Sequence, residues 1–161
     1  QTFEQFAKVG EAGVTIMVQD APLSGVDLPV PLLIKMAREI ETVKCFKIEC
    51  AQAASKLRKL VVEGGDAIEG PFDGEEGITL FADLEAGATG NMSSAMIPDL
   101  IKPVVLDYLA GEIDKSEDKY NNILPVINYE NRQCGFRATK VIMKEGGVIN
   151  SDFCRHPIPP L

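Results

Sequence analysis

The sequence predicts an α/β fold built on a parallel sheet, from four strand–helix units in a row. Three observations carry this. Short apolar runs alternate with stretches of helical period, four times over, with brief loops between them. The apolar runs are continuous rather than alternating, as in strands covered on both faces, and strand–helix–strand connections of this kind are right-handed. Finally, the 161 residues suit one domain but fall short of the roughly 250 of a complete (β/α)8 TIM barrel; four units are about half of one.

Taken in order, residues 1–9 read as a helix and "GVTIMVQ", 13–19, as a buried strand rich in β-branched residues. "DAPLSGVD", 20–27, is a turn-rich loop. Asp27 is expected to cap a helix whose first turn accepts Pro29 and Pro31. Leu32, Leu33, Met36, Ala37 and Ile40 give that helix one apolar face. A second strand spans 43–49, and a helix follows over about 52–63, closed by Gly64-Gly65. "AIEGPF", 67–72, is a third strand; 75–87 is a helix closed by Gly87. "TGNMSSAM", 89–96, is the fourth strand, and Pro98 opens a helix to about 110. Residues 114–146 are mostly helical, with a break expected at Pro125, and the tail "HPIPPL" is extended.

Composition narrows the function. A net charge of −8 repels phosphate backbones, so nucleic acid is not an expected partner. Lys56, Arg58 and Lys59, the densest basic cluster, read as one solvated helix face. No apolar run approaches the roughly 20 residues that cross a bilayer, and "QTFEQFAKVG" lacks the plan of a signal peptide. A start without Met suggests a processed or excised chain. The four cysteines, Cys45, Cys50, Cys134 and Cys154, form no CxxC pair. Buried reduced thiols in a cytoplasmic protein are expected, and the lone His156, on the surface, does not complete a zinc site with them.

The segment "VKCFKIEC", 43–50, holds the chemistry. Phe46 and Ile48 take one side of the strand; Cys45, Lys47 and Glu49 take the other. Lys47 and Glu49 are thus about 6.6 Å apart at Cα on one face. In a parallel barrel the inward face near the carboxyl end of a strand is where reacting groups sit. A desolvated lysine can be a neutral amine that condenses with a carbonyl to an imine. The imine makes the adjacent carbon acidic, and a nearby carboxylate can move that proton. The same two residues also read as a structural ion pair.

Other polar residues are less telling. Ser93 and Ser94 lack a GxSxG turn and a nearby histidine, against hydrolase chemistry. "GATG" follows a helix and opens a strand, the reverse of a phosphate-binding fingerprint. Asp73, Glu75 and Glu76 read as acids at a helix start, where they suit the dipole, rather than as metal ligands.

Four stretches resemble the dihydrodipicolinate synthase / N-acetylneuraminate lyase family of class I aldolases. "FKIEC" looks like the family's strand-six segment, where the lysine forms an imine with a 2-oxo acid. "VQDAPLSGVDL" is similar to the strand-five loop, "LEAGATGNMSSAMIPDL" to the strand-eight segment, and "RHPIPPL" to the family's ending. The resemblance implies that residues 1–112 supply barrel strands five to eight and 113–161 a C-terminal helical extension. It also implies that strands one to four belong to a piece missing here, so that this chain is a fragment or has its complement supplied separately.

Departures from the family pattern point to a branch within it. Gln19 stands where a tyrosine is usual, Leu23 falls near the position of a substrate-binding arginine, and Glu49 replaces a small residue. The combination resembles the sugar-acid dehydratases. It implies that Lys47 attacks the C2 ketone of a 2-keto-3-deoxy sugar acid. Glu49 then takes a C3 proton or assists loss of the C4 hydroxyl, and 2,5-dioxopentanoate is released. Gln19 would bond a substrate hydroxyl or, equally, satisfy loop backbone, and Met92 and Ser93 would line the pocket or simply pack. The imine supplies the electron sink, so no metal or dissociable cofactor is implied, and a homo-oligomer, dimer or tetramer, is expected. Two other functions remain open: a pyruvate-releasing or pyruvate-condensing aldolase of the same family, and an inactive half barrel that associates through its sheet edges.

Overall fold

The structure, a computed structural model, describes residues 1–21 and 25–161. They form two compact units: residues 1–74 with 79–92, and residues 75–78 with 93–161.

The first unit is a four-stranded parallel sheet with strands in chain order, β1 Ile16–Asp20, β2 Val43–Ile48, β3 Glu69–Asp73 and β4 Gly90–Asn91. The helices α1 Thr2–Gly10, α2 Val30–Glu39, α3 Ala53–Gly64 and α4 Leu80–Glu85 belong to the same unit. The expected order of strands and helices is therefore observed. Val18, Phe46 and Ile48 point to one side of the sheet and pack with Leu33 and Met36 of α2 and Leu57 and Leu60 of α3; all are fully buried. Each such side chain contributes about 1.5–3 kcal/mol by leaving water. α3 ends where predicted, because Gly65 adopts φ 55°, a left-handed conformation that glycine takes without strain.

Four local expectations are corrected. Asp27 does not cap α2. Pro29 occupies the cap position, its fixed φ of −65° suiting the helix entry, and Asp27 instead receives a hydrogen bond from Lys56 Nζ at 3.0 Å. The helix over 75–87 is shorter: Glu75–Gly77 form a 3-10 turn, and α4 covers only Leu80–Glu85 before Gly87 at φ 105°. The strand over 89–96 is reduced to Gly90–Asn91, since small polar residues supply little to pack on a pleated surface. Among the described residues β1 is also not covered on both sides: Met17 and Gln19 are exposed.

The second unit contains α5 Pro98–Leu109, α6 Ile113–Tyr129 and α7 Phe136–Glu145, with a π-helical turn at Glu130–Cys134. Pro125 does not break α6. It forfeits one backbone hydrogen bond, but Ile123 and Ile127 on either side of it are buried and hold the helix to its neighbours. Ser116 Oγ donates to Val104 O at 2.8 Å, tying α6 to α5. Tyr120 Oη donates to Ile78 O at 2.6 Å. Cys50 and Cys154 are buried, Cys45 and Cys134 half-buried, and all four are free thiols. His156 is exposed. No helix among the described residues is long and apolar enough to cross a membrane.

Candidate active site

The parallel register of β1 and β2 pairs Gln19 with Lys47, so the two side chains leave the sheet on the same face. One residue past β2, the Glu49 N–H donates to Asp20 O at 2.9 Å, which extends the ladder and returns Glu49 to the face of Lys47. Lys47 Nζ lies 2.8 Å from Glu49 Oε2. Gln19 Nε2 donates to the same oxygen at 2.6 Å. One carboxylate oxygen thus gathers an ammonium and an amide from two strands. The Lys47 and Glu49 side chains are only 17% and 18% exposed, enough shielding to strengthen the pair while leaving it open to a reactant.

The neighbours of these three residues were missed in the sequence. Phe72 of β3 is the register partner of Lys47. Its ring runs between two glycines: a Cβ built on Gly70 or on Gly90 would come within 2.9 or 2.8 Å of it. The signal was there, an aromatic flanked by glycine at the alternate positions of one face. Gly74 gives room to Glu49, since a Cβ there would lie 2.7 Å from Glu49 Cβ and 3.1 Å from Ile48 O.

Lys56 departs from the solvated face expected of it. Its Nζ reaches the fully buried Asp20 carboxylate at 2.6 Å as well as Asp27. Burial pulls the Lys56 pKa down, but the hydrogen bonds to the two carboxylates outweigh it and hold the ammonium above its ordinary range. Lys56 therefore anchors the residue next to Gln19. Asp73 is not at a helix start either: it ends β3, buried.

Lys47, Glu49 and Gln19 are thus brought together. Met92 follows β4, with its N–H on Asp73 O at 3.0 Å; the residue is 41% exposed and bonded to none of the three. Ser93 falls in the second unit, where its hydroxyl donates to Ser94 O at 3.3 Å. Leu23 lies outside the described residues.

The site thus sets a primary amine against a carboxylate on one face of a parallel sheet. The model of the dihydrodipicolinate synthetase family matches residues 2–161. The chain belongs to that family, whose fold is the TIM barrel. It is 54% identical over 162 aligned positions to an L-2-keto-3-deoxyarabonate dehydratase of Azospirillum brasilense, covering 100% of this chain and 52% of that protein. Its fold matches the crystal structure of dihydrodipicolinate synthase from Rhodopseudomonas palustris with a TM-score of 0.90 at 25% identity, over 99% of this chain and 56% of that one. A dihydrodipicolinate synthase from Acinetobacter baumannii, crystallised in complex with pyruvate, superposes with a TM-score of 0.86 at 20% identity, over 99% and 54%. The chain spans about half the length of the relatives it matches.

Proposed function

We propose that this chain carries the reacting groups of a hydro-lyase that dehydrates a 2-keto-3-deoxy sugar acid through an imine on Lys47. The observation that carries the reading is the three-residue contact of Lys47, Glu49 and Gln19, and the 54% identity to a dehydratase over the whole chain supports it. In this reading β1–β4 are barrel strands five to eight, residues 1–112 are barrel and 113–161 a helical extension, in a cytoplasmic homo-oligomer.

The chemistry starts from the ion pair. Glu49 takes a proton from the Lys47 ammonium and frees the amine, which adds to the C2 ketone of the substrate and expels water to give an iminium. Loss of a C3 proton to Glu49 gives the enamine, whose electrons expel the C4 hydroxyl as Glu49 returns the proton. A proton shift from C5 leaves an aldehyde there. Hydrolysis of the imine consumes one water and frees 2,5-dioxopentanoate, so the net change is loss of a single water. Gln19 holds Glu49 by its amide and bonds a substrate hydroxyl, while Met92 lines the pocket.

The test is to supply a five-carbon 2-keto-3-deoxy sugar acid to the protein as its natural source encodes it and to identify the product. Formation of 2,5-dioxopentanoate is expected; release of pyruvate instead would mean that a carbon–carbon bond is broken, and would sink the dehydratase reading.

A further inference from the structure

Asp73 and Asp83 are both fully buried, and one hydroxyl, Thr79 Oγ1, lies within hydrogen-bond distance of both carboxyls, 3.4 Å from Asp73 Oδ1 and 2.8 Å from Asp83 Oδ2. Asn91 Nδ2 donates to Asp73 Oδ2. Among the described residues no ion pair reaches either acid. On the packed elements Lys44 pairs with Glu69, Lys47 with Glu49, and Lys56 with Asp20 and Asp27; Arg58, Lys59 and Glu63 of α3 and Glu85 of α4 pair with neither. Nor does any N–H or hydroxyl reach the buried Asp83 Oδ1. Two carboxylates cannot both be charged in such a place.

We propose that Asp73 and Asp83 share one proton, and that this pair is a positioning device for the carboxyl end of β3, where Gly74 seats Glu49. A hydrogen on Asp73 satisfies Asp83 Oδ1, leaving one negative charge held by the Thr79 hydroxyl and the Asn91 amide. The pair joins β3 to α4, and through Asn91 to β4, since Asp73 and Asn91 are register partners. The next residue is Gly74, against which Glu49 packs. Burial first, then the hydrogen bond and charge of Asp83, push the Asp73 carboxyl up to about 9, so it keeps its proton at neutral pH. The positioning half rests on Glu49 being the acting carboxylate; the shared proton does not.

The sign follows from linkage. The folded-state pKa is raised, so between an unfolded value of about 4 and the folded value of about 9 the native chain holds one proton more than the unfolded one. The stabilisation from this group is full at low pH and erodes as pH rises through that window. Asp73→Asn mimics the protonated acid: its amide donates to Asp83 and its carbonyl accepts from Asn91.

The experiment uses the protein as its natural source encodes it. In the infrared at pH 7, the carbonyl stretch of a protonated carboxyl should be present and should vanish in Asp73→Asn. From pH 5 to 9 the Tm of Asp73→Asn should gain steadily on that of the parent. Absence of that band, its persistence in the variant, or parallel Tm curves would overturn the shared proton. So would Mg2+ or Ca2+ raising the parent Tm but not that of Asp73→Asn, which would mean two ionised acids holding a cation. For the positioning half, Asp73→Ala should lower kcat per imine-competent site, counted by trapping with borohydride, with KM little changed. An unaltered kcat per trapped site would reduce the pair to fold stability and overturn that half, whereas full turnover by Glu49→Gln would remove the site reading alone.

Discussion

Gln19 and Lys47 face each other across β1 and β2, and both reach the same oxygen of Glu49, at 2.6 and 2.8 Å. A carboxylate so held is aimed before any substrate arrives. In the proposed reaction it is the group that takes a proton from Lys47. Four expectations follow from this arrangement and from the packing beneath it.

Glu49→Gln should lose the dehydration while the imine still forms, more slowly, because the Lys47 ammonium must then give its proton to solvent. The amide is nearly isosteric but moves no proton, so kcat should fall by roughly 100- to 10,000-fold. Borohydride trapping with a 2-oxo acid measures the retained step, and product formation the lost one. Full turnover would remove Glu49 from the chemistry.

Gln19→Leu should weaken turnover without abolishing it. It removes a 2.6 Å hydrogen bond to a charged acceptor, a loss of about 1.5–3 kcal/mol, or roughly 10- to 150-fold if the bond is kept in the transition state. Steady-state kinetics on Gln19→Leu and the parent decide whether the effect falls on kcat, as aiming of Glu49 requires, or only on KM.

Lys56→Ala should destabilise the fold by about 3–5 kcal/mol, because it strands the fully buried Asp20 carboxylate. Asp20 O also accepts the Glu49 N–H, so activity should fall alongside. Urea unfolding of the single variants and of Lys56→Met combined with Asp20→Leu separates the charge from the packing: the double variant should recover much of the loss.

Leu57→Ala should cost about 2–5 kcal/mol, with the chemistry intact in the folded fraction. Leu57 is fully buried in the core that backs β2 on the side away from Lys47. Urea unfolding gives the loss, and kcat per trapped site should not change.

Much of this was legible in the residues. The α/β order came from apolar periodicity, and the shared face of Lys47 and Glu49 from strand alternation alone. Gln19 was singled out by resemblance, yet its bond to Glu49 depends on the β1–β2 register, which no local pattern states. Asp73 illustrates the opposite failure. Beside Glu75 and Glu76 it looked like one of three acids at a helix start, because a sequence does not tell a strand end from a helix cap when the intervening residue is glycine. Its partner Asp83 is ten residues on and meets it only after α4 packs against the sheet. Lys56 was likewise misjudged, since its helix face appeared polar and only the fold places Asp20 under it. Met92 and Ser93 were read as strand residues, but β4 ends before them at Asn91, where small polar side chains give the sheet little to hold.

The proposed reaction turns on a covalent bond between Lys47 and the C2 carbon of a 2-oxo acid. Reduction with borohydride in the presence of such an acid, followed by peptide mass mapping, tests it most directly. The expected result is a single adduct on the peptide containing Lys47, absent from Lys47→Arg, whose guanidinium is not a nucleophile. An adduct on another lysine, or none while the protein turns its substrate over, would contradict the imine mechanism.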